Sequence, residues 1–249
     1  MNLELFAKPD FNISKKIRLI ELFAGYGSQC MALERMGVDF ESHYVCEFDK
    51  YAQSLYNAAH DTNFPTSDVT QIHAKDLNIT ETDKYTYLLT YSFPCTDLSI
   101  AGKQAGMKKG SNTRSGLLWE VERLLTEIKE TNNNLPQVLL MENVTQVHSK
   151  VNMQDFSSWI KFLTSLGYSS YYQDLNAKNF GIPQNRDRCF MVSLLGDYNF
   201  EFPNDIPLEY VWEDILEESV DEKYFINNEK AKNLINQLII EKRIPEYEE

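Results

Sequence analysis

The sequence predicts an α/β fold built on a doubly wound, mostly parallel sheet, and three observations support this. Short apolar runs alternate with amphipathic helical patterns across most of the first 200 residues, the signature of parallel strands joined by crossover helices. The first run ends in the glycine-bearing turn "ELFAGYGSQ" (21–29), at the strand-to-helix junction where such sheets hold ligands. At 249 residues, 43% apolar and 24% charged, the chain can bury the core of one large α/β domain or two small ones.

The elements follow in order. Strands are expected at "RLIELF" (18–23), "HYVCEF" (43–48), "TYLLTYS" (86–92), "QVLLMEN" (137–143), "SYYQDLNA" (170–177) and "RCFMVSLL" (188–195). Helices are expected between them at 28–36, 49–59, 116–130 and 154–166. The third is the best defined, with Leu117, Leu118, Val121, Leu124, Leu125 and Ile128 on one face at the helical period. After Pro203 the alternation stops, and "VWEDILEE" and "NNEKAKNLINQLIIEKR" read as helices. The expected organisation is a leader at 1–16, the α/β domain at 17–203 and an acidic, mainly helical segment at 204–249. The longer loops, about 60–84 and 96–115, are where a rigid sheet carries working residues.

Bulk chemistry excludes several classes. No apolar run approaches the roughly 20 residues of a membrane span, and the start, "MNLELFAKPDFNISKK", has acids and a proline where a signal peptide is basic and apolar. A cytoplasmic protein is expected. Cys30, Cys46, Cys95 and Cys189 form no C-x-x-C pair and have no histidine at ligand spacing, so neither a disulfide framework nor a metal site is expected. The net charge of −13 argues against unaided binding to nucleic acid. Residues 209–249 carry 12 acids against 5 basic residues, the composition of a solvated helix or of a face for a basic partner.

Four stretches carry chemistry. In the first, Gly25 and Gly27 allow a tight turn and close approach of a ligand to the backbone. Glu47 ends the next strand 20 residues beyond Gly27, where nucleotide-binding sheets put a carboxylate on the ribose. Cys30 occupies the third glycine position of the dinucleotide fingerprint. The pair therefore favours a nucleoside-bearing ligand that needs no pyrophosphate, such as S-adenosylmethionine, over NAD or FAD. In the second stretch, "YSFPCTDLS" (91–99), Cys95 follows a stiff proline at a strand's carboxyl end, a place for a nucleophile. The third, "MENV", puts Glu142 on the same edge, where a shielded carboxylic acid can donate a proton. In the fourth, "IPQNRDR", Arg186 and Arg188 are two apart and share a face if extended.

In this order and spacing, the four stretches resemble the DNA cytosine-5 methyltransferases over about residues 17–203. The resemblance implies the S-adenosylmethionine-dependent methyltransferase type of sheet. It implies that Cys95 adds to C6 of a flipped cytosine, that Glu142 engages N3, and that Arg186 and Arg188 hold the base's O2 and the active-site carboxylate. For the cofactor it implies Phe23, Gly25 and Gly27 around the adenosyl and methionine groups, Glu47 on the ribose and Phe48 beside the adenine. Asp68 would accept from the adenine amine, Val69 would pack on the ring, and Pro94 and Leu118 would line the remainder. The stretch 96–116, with Lys103, Lys108, Lys109 and Arg114 against Asp97, is similar to the family's mobile loop. The implied partner is double-stranded DNA, with no metal and no membrane.

The family's variable recognition region and final motif are not recognisable after Pro203. Three readings stay open: a catalytic subunit whose recognition part is a separate polypeptide, a truncated inactive copy that binds only cofactor or a protein partner, and methylation of a cytosine in transfer RNA.

Overall fold

The computed structural model describes residues 8–98, 106–111, 113–210, 214, 216–225 and 228–244. It divides into two compact units, residues 1–208 and 209–249. Unit 1 holds a six-stranded sheet in the order β2-β1-β3-β4-β6-β5. Its strands are β1 (Ile17–Leu22), β2 (Phe40–Cys46), β3 (Thr86–Tyr91), β4 (Val138–Asn143), β5 (Tyr168–Asn176) and β6 (Asp187–Leu195). The pairings β1–β2, β1–β3 and β3–β4 are parallel, whereas β6 runs antiparallel to both β4 and β5. The sheet is thus mostly parallel, with one reversed strand.

Helices α1 (Ser28–Met36), α2 (Lys50–His60), α3 (Ala74–Leu77), α4 (Leu118–Thr131) and α5 (Met153–Ser165) cross between strands. The helices and strands expected before Pro203 are present within a few residues. Three differences stand out. β2 begins at Phe40 rather than 43, because its pairing with β1 starts at Ile17↔Phe40. The single turn α3 interrupts a stretch expected to be loop. Before α4, residues Ser115–Leu117 form a 3₁₀ turn.

Both faces of the sheet are covered. On one, Leu118, Val121, Leu124, Leu125 and Ile128 of α4 and Phe156, Trp159 and Leu163 of α5 pack on Tyr87, Leu89, Tyr91, Leu139 and Met141. On the other, Cys30 and Leu33 of α1 and Tyr56 of α2 pack on Leu19, Val45 and Leu88. Alternate residues of β3 serve opposite faces, as the pleat requires. Each large side chain buried this way contributes about 1.5–3 kcal/mol. Trp159 also donates its indole N–H to the Tyr91 hydroxyl at 3.1 Å, which satisfies both buried polar groups. α2 starts where it does because Asp49 caps it, accepting from the amides of Tyr51 and Ala52 at 2.7 and 3.0 Å.

Unit 2 contains α6 (Glu229–Ile240), started by Asn228, whose side chain accepts from the Ala231 amide at 2.9 Å. The expected helix "VWEDILEE" includes residues outside those described. Among the described residues no helix is long and apolar enough to cross a membrane.

Candidate active site

The carboxyl ends of β1, β2, β3 and β4 lie on one edge of the sheet, and because β6 is reversed its amino end joins them. The register pairs Asn143 with Cys189 and Glu142 with Phe190, so Arg188 enters β6 beside the end of β4. The strand order reverses between β1 and β3, and the crevice at such a switch point is where open α/β sheets bind ligands.

A cavity of about 640 Å3 occupies that crevice, within the range of small-molecule sites. Phe23, Gly25, Glu47, Phe48, Asp68, Val69 and Pro94 line it. Its first wall is the turn after β1, where Phe23, Gly25 and Gly27 all have positive φ (59°, 57° and 85°). A phenylalanine in that region is strained by about 1 kcal/mol or more, and such strain gathers at ligand sites. The Glu47 carboxylate fastens this turn to the second wall, accepting from the Gly25 amide at 2.8 Å and the Asp49 amide at 2.7 Å. Phe48, 73% exposed as a residue, also lines the cavity and brings an apolar ring to it. Asp68 accepts from the Thr70 amide at 2.9 Å, which fixes the turn that buries Val69.

Two residues that the resemblance puts at the cofactor lie outside the cavity lining. Gly27 faces α2, where an added Cβ would stand 2.4 Å from His60 Nε2 and 2.6 Å from the Tyr56 ring. Leu118 is fully buried in the α4 core, and its neighbour Leu117 reaches the cavity instead. Ser92, Thr70 and Arg114 also line it. None of the four was singled out as a site residue in the sequence, although Arg114 was visible in the basic loop.

Cys95 lies four residues past Tyr91, the last residue of β3. Burial pushes the Cys46 thiol up to about 11 and Cys189 up to about 12, and raises Cys30. Those three remain protonated near neutral pH. Cys95 alone of the four is not buried. The loop that carries it is braced from two sides. The Asn143 side chain, buried at the end of β4, donates to the Phe93 carbonyl at 2.9 Å. The Ser115 hydroxyl donates to the Pro94 carbonyl at 2.7 Å, and Asp97 accepts from the Arg114 amide at 2.7 Å. Asn143 and Ser115 hold this loop in place, and periodicity does not reveal them, because their partners are backbone carbonyls about 50 and 21 residues away.

Glu142 is three-quarters buried and pairs with Arg188 Nε at 3.0 Å. Arg188 Nη1 also donates to the Asp187 carbonyl at 2.7 Å, so the guanidinium is held at both ends. Arg186 precedes β6 and is exposed, its amide donating to Asn176 Oδ1 at 3.2 Å. Residues 99–105 and 112 of the basic loop, including Lys103, lie outside the described residues. Within the described part, Gly106 donates its amide to the Asp97 carbonyl, Trp119 donates to the Met107 carbonyl, and Lys109 pairs with Glu122.

A family model for the C-5 cytosine-specific DNA methylases matches residues 17–246. The chain is 32% identical to the type II methyltransferase M2.ScrFI of Lactococcus lactis subsp. cremoris, over 87% of this chain and 72% of that one. It is 35% identical to the orphan methyltransferase M.SssI of Spiroplasma monobiae, over 90% and 70%. It is 34% identical to the type II methyltransferase M.HhaI of Haemophilus parahaemolyticus, over 90% and 64%. The fold is similar to that of the Entamoeba histolytica methyltransferase EhMeth (TM-score 0.69, 19% identity, covering 92% of this chain and 66% of that one). It is also similar to the S. pombe Dnmt2 methyltransferase (TM-score 0.66, 22% identity, 90% and 66%).

Proposed function

The chain belongs to the C-5 cytosine-specific DNA methylase family, and from that premise we propose that it methylates C5 of a flipped cytosine in double-stranded DNA through a covalent bond to Cys95. One observation carries this reading: the only unburied thiol, on a braced loop, shares one sheet edge with the Glu142–Arg188 pair and the cavity. The cavity suits S-adenosylmethionine. Glu47, Asp49 and Asp68 line it and favour a cationic ligand, and the Phe48 ring and the apolar face of Val69 suit a purine. When bound, S-adenosylmethionine supplies an electrophilic methyl group.

The residues act in sequence. Base flipping brings cytosine out of the stack, because C6 is out of reach within it. The Cys95 thiolate adds to C6 while Glu142, as the acid, gives a proton to N3, so the electron pair displaced from the C5–C6 double bond is delocalised rather than stranded. Arg188 keeps the Glu142 carboxyl aimed at N3 and, with Arg186, offers positive charge to O2. C5, now enamine-like, takes the methyl group. A base then removes the C5 proton, the C5–C6 double bond reforms, Cys95 leaves, and N3 returns its proton to Glu142. Asn143 and Ser115 keep the nucleophile's loop from drifting, and a misplacement of about 1 Å is enough to lose about a hundredfold in rate.

A chain of net charge −13 has little with which to hold phosphates. Sequence recognition is therefore assigned to a second polypeptide or region. The test is covalent trapping with S-adenosylmethionine and DNA containing 5-fluorocytosine, whose C5 cannot release a proton. The expected result is a denaturation-resistant adduct mapped to Cys95 by mass spectrometry, enhanced by the recognition part. An adduct on another residue, or methylation that survives Cys95→Ala, sinks the proposal.

A further inference from the structure

Away from the cavity, at the junction of α1 and α2, the fold brings together three metal-ligating groups that the chemistry above does not use. Cys30 and Glu34 are four residues apart on α1 and share a face. His60, the last residue of α2, reaches the same point. Cys30 Sγ lies 3.7 Å from Glu34 Oε1, which lies 3.1 Å from His60 Nδ1. All three ligand atoms fall within 4.8 Å of one another. With bonds of about 2.3 Å to sulfur and about 2.0 Å to nitrogen and oxygen, a tetrahedral zinc ion separates sulfur from oxygen by about 3.5 Å and oxygen from nitrogen by about 3.3 Å. Both measured edges come within about 0.2 Å of those values.

The tautomer of His60 sharpens the case. Its Nε2 is 3.0 Å from the Tyr26 carbonyl, which can only accept, so Nε2 carries a hydrogen. Nδ1 then directs its lone pair at the same point as a carboxylate oxygen. Two acceptors converging at 3.1 Å need a proton or a metal ion between them. A ring N–H donated to a backbone carbonyl is also the outer bond that orients metal-bound imidazoles. Cys30 is buried and the His60 side chain is 2% exposed, whereas Glu34 is 48% exposed, which gives an entry path on one side. Behind the cluster, Glu21 of β1 lies close enough to act on Cys30, Glu34 and His60, and burial raises its pKa. Glu21, fully buried, receives the Tyr56 hydroxyl on Oε2 at 2.6 Å and leaves Oε1 without a partner.

We propose that Cys30, Glu34 and His60 form a binding site for a thiolate-preferring divalent cation, zinc, with water as the fourth ligand. On binding, the Cys30 S–H bond breaks, its proton passes to solvent, and the sulfur lone pair binds the metal. The ion would fix His60, and through it the Tyr26 carbonyl in the turn that walls the cofactor cavity. Linear spacing hides the site, because His60 lies 26 residues beyond Glu34 and no C-x-x-C motif is involved.

The test is titration of the metal-free full chain with cobalt(II), read by absorption. One equivalent should bind with tetrahedral visible bands and a near-ultraviolet sulfur-to-metal charge-transfer band, and zinc should displace it. Cys30→Ser should remove the charge-transfer band, and Cys95→Ser should keep it. Glu34→Gln, at the exposed mouth of the site, and His60→Gln, at its buried wall, should each weaken cobalt binding by about tenfold or more. No band in the wild type overturns the proposal in favour of a proton-bridged His60–Glu34 pair. A band that survives Cys30→Ser, or affinity unchanged in both His60→Gln and Glu34→Gln, overturns it as well.

Discussion

At the amino end of the sheet, Arg18 of β1 pairs in register with Glu41 of β2 and Tyr87 of β3. It donates to Glu41 at 2.7 Å, to Glu81 at 3.0 Å and to the Tyr87 hydroxyl at 2.9 Å, and its guanidinium stacks 3.6 Å from the Tyr85 ring centre. At the carboxyl end of the same strands, Glu47 is held by two backbone amides and Glu142 by one arginine, and Glu47 lines an open cavity. One end spends its charge on itself. The other fixes its charged groups from behind and leaves their working faces free. Substitutions at the carboxyl end should therefore cost chemistry or ligand affinity with little loss of stability, and substitutions at the amino end should do the reverse.

The largest expected effect is at Cys95. Cys95→Ala should lower turnover by about 10⁴-fold or more and abolish the adduct, while calorimetry finds cofactor affinity within about twofold of wild type. A fall in cofactor affinity as large as the fall in rate would mean the thiol serves the cavity. Arg188→Ala comes next. Removing a donor aimed at developing charge costs about 10²–10³-fold in kcat, and here it also leaves Glu142 without its partner. Arg188→Lys should recover only part of this, because one ammonium cannot hold the carboxyl and the base together. Full recovery by lysine would reduce Arg188 to a simple counter-charge.

Glu47→Ala is smaller and of a different kind. Losing charged hydrogen bonds to a bound ligand raises the cofactor Kd by about 10–100-fold. It also frees the Gly25 and Asp49 amides. Trapping at saturating cofactor should stay near the wild-type level, and a trapping defect that saturation does not repair would place Glu47 in the chemistry.

How much of this was legible follows from what kind of neighbour each residue has. The strands and helices were readable because their apolar spacing reports burial against a sheet. Glu47 was legible from its spacing beyond the glycine turn, whereas Phe23, Asp68 and Pro94, which line the cavity, were named only through the family resemblance. Leu117 and Leu118 were not separable, because both fall on the apolar face of one helical pattern and only the 3₁₀ turn before α4 sends Leu117 to the cavity. Asn143 and Ser115 act on carbonyls far away in sequence, and hydrogen bonds of that kind leave no periodic trace. The Cys30–Glu34–His60 cluster was hidden for the same reason, since α1 and α2 meet only after β2 is laid beside β1.

The smallest effect tests the amino end. Partial burial works against the charge on Arg18, but its hydrogen bonds to Glu41, Tyr87 and Glu81 outweigh it and leave the guanidinium pKa raised. The bond from Arg18 holds Glu41 below the ordinary carboxylate range, against a weaker opposing pull from burial. Lys84 first and then Arg18 do the same for Glu81. Arg18→Met keeps the stem on Tyr85 and removes the charge. It should lower stability by about 1–2 kcal/mol at neutral pH, since both acids are more than a third exposed and their pairs are screened. Cofactor Kd should not move. A carboxylate whose folded pKa is depressed contributes fully above its unfolded value, and that contribution fades as pH falls through the folded value. The urea midpoints of wild type and Arg18→Met should thus converge between neutrality and about pH 3. Midpoints that stay apart by the same amount at both pH values would mean that Arg18 acts through its stem and the Tyr85 ring, and the amino end would then be held by packing rather than by paired charge.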